Sequence, residues 1–367
     1  MLQDPVHEGG PRNGPMARSS SHLPSLDGLR AISIVLVLLG HVNGTKGFGR
    51  VYFGVGDYAH LGVLVFFVIS GFLITRLLLI EHEKTGRVSL KLFYARRALR
   101  LFPASYAFIS MMWLLSIAGV IHLNARDIWH AITYTVNYLP DRSWQIGHLW
   151  SLSVEEQFYF VWPCIFVLFR PRRAGWIAAA VILFGPVARS MAWVLLRKTP
   201  YYDLELFPVM ADSLAMGCLL AMVGAWLQKQ RWYLQLFRPV YSIGMLVAIL
   251  LINRYAGYTV VAVFGTSLIY VMIAVLIHRS VYCSDDLVGR FLNWPPVAFV
   301  GVLSYSLYVW QQPFLNRSST AWVNAFPQNL ALAVGAACCS YFVLEKPFLR
   351  LRRKLRGRVT EPSMIKV

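Results

Sequence analysis

The chain has 367 residues, of which 57% are hydrophobic, and carries a formal net charge of +18. Apolar content that high, gathered in long runs, excludes an ordinary soluble domain. The basic residues fall in short connections between those runs, a distribution that fits a membrane protein and argues against a nucleic-acid binder.

Residues 1–24 are rich in Gly, Pro, Ser and Arg and read as a disordered cytosolic tail without a cleavable signal peptide. Ten apolar segments follow, at about 28–43, 60–80, 103–121, 148–169, 174–196, 204–227, 238–253, 258–278, 296–315 and 327–346. The expected fold is therefore an all-α integral membrane protein of about ten transmembrane helices, spanning residues 25–352. With both termini in the cytosol, Lys and Arg favour the inner side by roughly three to one, and 353–367 form a basic cytosolic tail. The five cysteines (Cys164, Cys218, Cys283, Cys338, Cys339) show no metal-ligand spacing, so no metal is expected.

The first span runs from Leu26 to His41 and carries Arg30 at its start. Eleven residues make about three helical turns, so Arg30 and His41 share a face and stand ~16 Å apart along the axis. Ionisable residues inside a span face protein or a water-filled cavity. Each alone also suits a bland role, Arg30 as a snorkelling anchor and His41 as an interfacial residue. In the second span, Ser70 and Gly71 read as small residues that let another helix approach, and no nucleophile elbow surrounds Ser70.

The segment Phe93–Pro103 holds Arg96, Arg97 and Arg100 on the cytosolic side of the third span. Arg97 and Arg100 share a face, and Pro103 suits a break or the first turn of the helix that follows. The cluster reads either as a juxtamembrane anchor or as an anion clamp for a phosphorylated cofactor. The fourth span opens with His148 and contains Glu155 and Glu156. Neighbours on a helix diverge by about 100°, so only one of the two carboxylates reaches a given site. Glu155 shares a polar stripe with His148, Ser151 and Tyr159, which makes it the site candidate, while Glu156 is expected to pair elsewhere. A structural ion pair remains the alternative for both. Further on, Asp212 is a buried-looking carboxylate with Arg189 as possible partner, and Tyr134, Tyr138 and Trp144 suit either sugar stacking or interfacial anchoring.

Four motifs in order resemble the acyltransferase 3 family: Leu26-Asp27-Gly28-Leu29-Arg30 with His41, Phe66 to Thr75, Arg97 and Arg100 before Pro103, and Leu149 to Tyr159. The resemblance runs from about Pro24 to Arg352 and implies an integral membrane O-acyltransferase of the bacterial plasma membrane. It implies His41 as the essential histidine, Arg30, Arg97 and Arg100 as groups for an acyl-CoA donor (acetyl-CoA the commonest), and Glu155 and Asp212 as family carboxylates. The acceptor it implies is a carbohydrate or secondary metabolite. The family often has an Arg two positions before its Asp, where this chain has Met210, and commonly Trp-His where this chain has Trp310-Gln311. It also implies a member without the C-terminal SGNH-type esterase domain.

The residues fit that chemistry independently. Acyl transfer needs a base for the hydroxyl, positive charge for an anionic donor, and exclusion of water. His41 can supply the base and the arginine pair the charge, with Glu155 as a candidate to orient His41. The rival from another class is a proton-coupled secondary transporter, against which stands the lack of repeated halves or paired broken helices.

Overall fold

The computed structural model describes residues 23, 25–49, 57–200, 205–255 and 260–357. Except for Leu23, the expected N-terminal tail lies outside the described residues, and so does 358–367 of the C-terminal tail. Among the described residues every regular element is helical. The helices are α1 (Leu26–Val42), α2 (Tyr58–Thr85), α3 (Leu90–Ile117), α4 (Ala125–Ile132), α5 (Trp144–Gly147), α6 (Leu149–Leu196) and α7 (Phe207–Leu227). They continue with α8 (Arg231–Gln235), α9 (Pro239–Arg254), α10 (Thr266–Tyr282), α11 (Leu287–Leu292), α12 (Pro295–Trp310), α13 (Gln328–Cys339) and α14 (Lys346–Gly357). Widened π turns lead into α10 at Val261–Gly265 and join α13 to α14 at Ser340–Glu345.

Among the described residues, six helical stretches are long and apolar enough to cross a bilayer by length and composition, fewer than the ten segments expected. Helix length and one merged pair account for the difference. α1 has 17 residues and α9 and α12 have 16 each, or ~24–26 Å at the helical rise, short of a ~30 Å hydrocarbon core. The expected fourth and fifth spans form one 48-residue helix, α6, which breaks at Arg170 (φ 63°, ψ 161°). Pro171 follows that break and tends to hold its predecessor out of the helical region.

Pro103 calls for a correction: it lies inside α3 instead of at a break or a first turn. The basic segment and the third span are thus one 28-residue helix, which starts at Ser89, whose side chain accepts from the Leu92 amide. The arginines are therefore carried on a rigid rod. Near the proline, the Tyr305 hydroxyl donates to the Leu101 carbonyl at 2.6 Å and ties α12 to this rod. At the start of α2, the Asp57 side chain accepts from the His60 amide, and Gly86 (φ 70°) ends the helix in the left-handed region that favours glycine.

α1 packs between α2 and α12, and α7 packs against both α2 and α6. As expected of Gly71, close approach requires it: a Cβ there would collide with the Leu214 carbonyl of α7, and one on Gly217 with the Val68 carbonyl of α2. The connection between α3 and α6 folds in under its own polar ties. Buried Asp127 accepts from the Asn124 amide at 3.0 Å and the Ser143 hydroxyl at 2.5 Å. Tyr134 reaches Ser105 of α3 at 2.6 Å, so this ring packs inward instead of standing at an interface.

Candidate active site: two chambers sharing one wall

Four helices direct arginines or a carboxylate into one cavity of about 200 Å³. α1 contributes Arg30, α2 Arg76, α3 Arg97 and Arg100, and α6 Glu155, with Asp27, Ser70, Ser151 and Tyr159 also in the lining. Arg30 pairs with Asp27 at 3.0 Å, one turn back on α1. The Arg97 guanidinium lies 4.0 Å over the centre of the Tyr159 ring, a favourable cation–π placement. Glu155 accepts short hydrogen bonds from Ser70 and Tyr159 on the same oxygen. Two hydroxyl donors offset part of the cost of holding a carboxylate away from bulk water.

A second cavity of about 250 Å³ is lined by His41, Asp57, His60, Arg142, Trp144, His148, Trp150, Glu205 and Gln312. His41 Nδ1 lies 2.9 Å from Gln311 Oε1, and its ring meets Trp144 edge-on with centroids 5.9 Å apart. His60 stacks on Trp150 at 6.0 Å. His148 donates from Nε2 to the Val309 carbonyl at 2.9 Å. The Arg142–Glu205 ion pair, at 2.7 Å, closes one side.

Val63 and Tyr308 line both cavities and form the wall between them. Tyr308 is fixed by its hydroxyl, which donates to the His148 carbonyl at 2.8 Å and sits 2.5 Å from Ser151 Oγ. The chambers thus lie end to end along α1, with Arg30 in one and His41 in the other. Helical spacing had put those two residues on one face.

Of the residues singled out from sequence, Arg30, Arg97, Arg100, Ser151, Glu155 and Tyr159 come together in the arginine chamber, and His41 stands in the other. Glu155 does not reach His41. Its oxygen is held by Ser70 and Tyr159, and Gln311 occupies the place at the imidazole. Asp212 lines neither cavity. It is buried against Arg189 at 2.8 Å, and Arg189 also donates to the Val263 carbonyl at 3.0 Å and to Ser267. That arrangement ties α6, α7 and α10 together. Glu156 lines neither cavity, and both Glu155 and Arg97 act on it electrostatically.

Sequence reasoning missed the roles of Ser70, Arg76, Gln311 and Tyr308. Arg76 carried a usable signal, because an arginine within a span is a site residue by default. Gln311 was marked only as standing where the family commonly has His, and its partner, 270 residues away in the chain, carried no local signal. Among the described residues there is no group of three or more His, Cys, Asp or Glu arranged to hold a metal ion.

Comparison with known proteins adds a family. A family model for an acyltransferase domain matches residues 23–345. A peptidoglycan O-acetyltransferase of Listeria monocytogenes is 27% identical over 375 residues, covering 92% of this chain and 56% of that protein. An inferred peptidoglycan O-acetyltransferase of Bacillus subtilis is 26% identical, over 89% of this chain and 55% of its own length. An inferred O-acetyltransferase of Staphylococcus aureus is 28% identical, over 89% and 57%. The chain therefore spans a little over half the length of these curated relatives. No solved structure matches.

Proposed function

The chain belongs to the acyltransferase family whose model spans it, and from that premise we propose a membrane-embedded O-acyltransferase that moves an acyl group, acetyl foremost, from acyl-CoA to a hydroxyl of a carbohydrate or glycosylated acceptor. The observation that carries this reading is the convergence of Arg30, Arg76, Arg97 and Arg100 on one chamber that shares a wall with the chamber of His41. Arginine forks suit the phosphates of CoA. The relatives' names add an acetyl group and, for two of them, a peptidoglycan acceptor.

In the proposed topology the polypeptide crosses the bacterial plasma membrane ten times, the short α1, α9 and α12 and both legs of α6 included. Residues 1–24 and 353–367 then lie in the cytosol, on the side where Lys and Arg concentrate. The arginine chamber receives the donor from that side, and the thioester extends past Val63 and Tyr308 toward His41.

Neutral His41 takes the proton of the acceptor hydroxyl as the alkoxide oxygen attacks the thioester carbonyl. The C–S bond breaks, and the departing CoA thiolate takes up that proton. An acyl-histidine intermediate is the second route. In it, the imidazole attacks the thioester carbonyl first and expels the CoA thiolate, and the hydroxyl, its proton passing to that thiolate, then displaces the imidazole from the acyl group.

Thiol release from acetyl-CoA by the purified protein, with solubilised peptidoglycan fragments as acceptor, tests the reading. Arg97→Ala and Arg100→Ala are expected to raise the KM for acetyl-CoA, and His41→Ala to abolish transfer. A protein that neither binds nor consumes acetyl-CoA refutes it, and would return the proton-coupled transporter to favour. A labelled acyl-enzyme that vanishes in His41→Ala selects the two-step route.

A further inference from the structure

His41 is not oriented by Glu155, the candidate from sequence, which is committed in the other chamber, while Asp57 in its own chamber and Arg317 act on it through their charges. Its Nδ1 instead meets Gln311 Oε1 at 2.9 Å. Gln311 is fully buried, and its amide is itself directed: Nε2 donates to Gln312 Oε1 at 3.2 Å, which turns the carbonyl end toward the imidazole. Gln312 is buried in turn, and its backbone carbonyl accepts the Trp144 indole N–H at 2.9 Å. Trp144 closes the circuit by packing edge-on against the His41 ring.

We propose that Gln311 is a positioning residue for His41: its carbonyl oxygen, aimed by Gln312, accepts the Nδ1 proton and so leaves the Nε2 lone pair for the acceptor hydroxyl. This rests on the proposed activity and deepens it. An imidazole has two nitrogens, and whichever is protonated cannot act as the base. A neutral amide fixes the tautomer and the ring plane as a carboxylate would. Unlike a carboxylate, it adds no negative charge to stabilise the imidazolium once the proton has moved. The position therefore sets how basic His41 is as well as where it points.

Two measurements on the purified full chain decide this, and only one depends on turnover. Nitrogen-15 NMR of histidine-labelled protein, with His41→Ala to assign the signal, is expected to report protonated Nδ1 and unprotonated Nε2. Gln311→Leu is expected to abolish that fixed state. The opposite tautomer, or an unchanged signal in Gln311→Leu, overturns the proposal even if no acyl transfer is ever detected. In the thiol-release assay, Gln311→Leu is expected to lower kcat on the order of 10²-fold, the low end of a general base's contribution. The KM for acetyl-CoA should stay within about twofold, because the donor chamber lies beyond the Tyr308 wall. Gln311→Glu is expected to restore much of kcat while moving the acidic limb of the kcat/KM profile to higher pH, since a carboxylate favours the protonated ring. Wild-type kcat in Gln311→Leu, or an unmoved profile in Gln311→Glu, overturns the proposal. Absence of thiol release by the wild type refutes the activity and leaves the tautomer measurement to judge Gln311.

Discussion

Asp212→Ala separates a structural ion pair from a site carboxylate. Asp212 is 1% exposed and Arg189 9%, and the guanidinium donates to Asp212 at 2.8 Å, to the Val263 and Val209 carbonyls at 3.0 and 3.4 Å, and to Ser267. Removing the carboxylate leaves a buried cation with neutral partners only, and breaking such a pair from one side costs ~3–5 kcal/mol. The three remaining acceptors keep most of the guanidinium satisfied, so the expected loss is near ~3 kcal/mol. Replacing both partners with apolar residues, Asp212→Leu with Arg189→Met, should recover most of it, because neither charge then needs desolvation. Unfolding of the detergent-solubilised protein, followed by tryptophan fluorescence, measures the loss, with the KM for acetyl-CoA determined on the same samples. Should Asp212→Ala unfold like wild type yet raise that KM or abolish transfer, the carboxylate belongs to the site and the structural assignment fails.

Arg76→Ala, at the residue sequence reasoning overlooked, should raise the acetyl-CoA KM about tenfold or more, as is expected of Arg97→Ala, since a hydrogen bond to a charged group contributes ~1.5–3 kcal/mol. An unchanged KM in the thiol-release assay removes Arg76 from the donor chamber. Gly217→Val should prevent folding or cost at least ~3 kcal/mol, because its new atoms meet the Val68 carbonyl, whereas Gly335→Ala opens onto free space and should be tolerated. Equal expression and melting of the two variants would refute that packing. Val63→Ala thins the wall between the chambers and should improve turnover of propionyl-CoA relative to acetyl-CoA by roughly tenfold, the lower worth of one methylene in an apolar pocket. The same acyl-length ratio in wild type and variant would show that the wall does not limit the chain.

What could be read from sequence was whatever lay on one helix. Arg30 and His41 share a face of α1, and Ser151, Glu155 and Tyr159 share a stripe of α6; both followed from the 3.6-residue period. The Glu155–Tyr159 bond is that period made visible, four residues along one helix. Contacts that depend on how helices meet were not legible. Ser70 was read as packing because nothing local marks it as the donor to a residue 85 positions away. Asp212 drew attention as a buried carboxylate, and only the tertiary structure shows that Arg189 absorbs it. Pro103 misled by its reputation: proline is expected to break a helix, yet α3 runs through it.

The split into two chambers has an electrostatic logic that neither half reveals alone. A base must accept a proton, and every guanidinium nearby opposes that. At ~16 Å, the separation along α1, one unit charge disfavours an imidazolium by ~1 kcal/mol at an effective dielectric constant near 20; at ~4 Å the figure is ~4 kcal/mol. Four arginines gathered around His41 itself would hold it neutral and resist its protonation in the transition state. Held beyond Val63 and Tyr308, and partly offset by Asp27 and Glu155, they can bind an anionic donor while leaving His41 able to take up a proton. Nearer to the ring, Arg142 is paired with Glu205, and Arg317 and Asp57 act on His41 with opposite sign, so the neutral Gln311 supplies orientation while these groups set the charge around it.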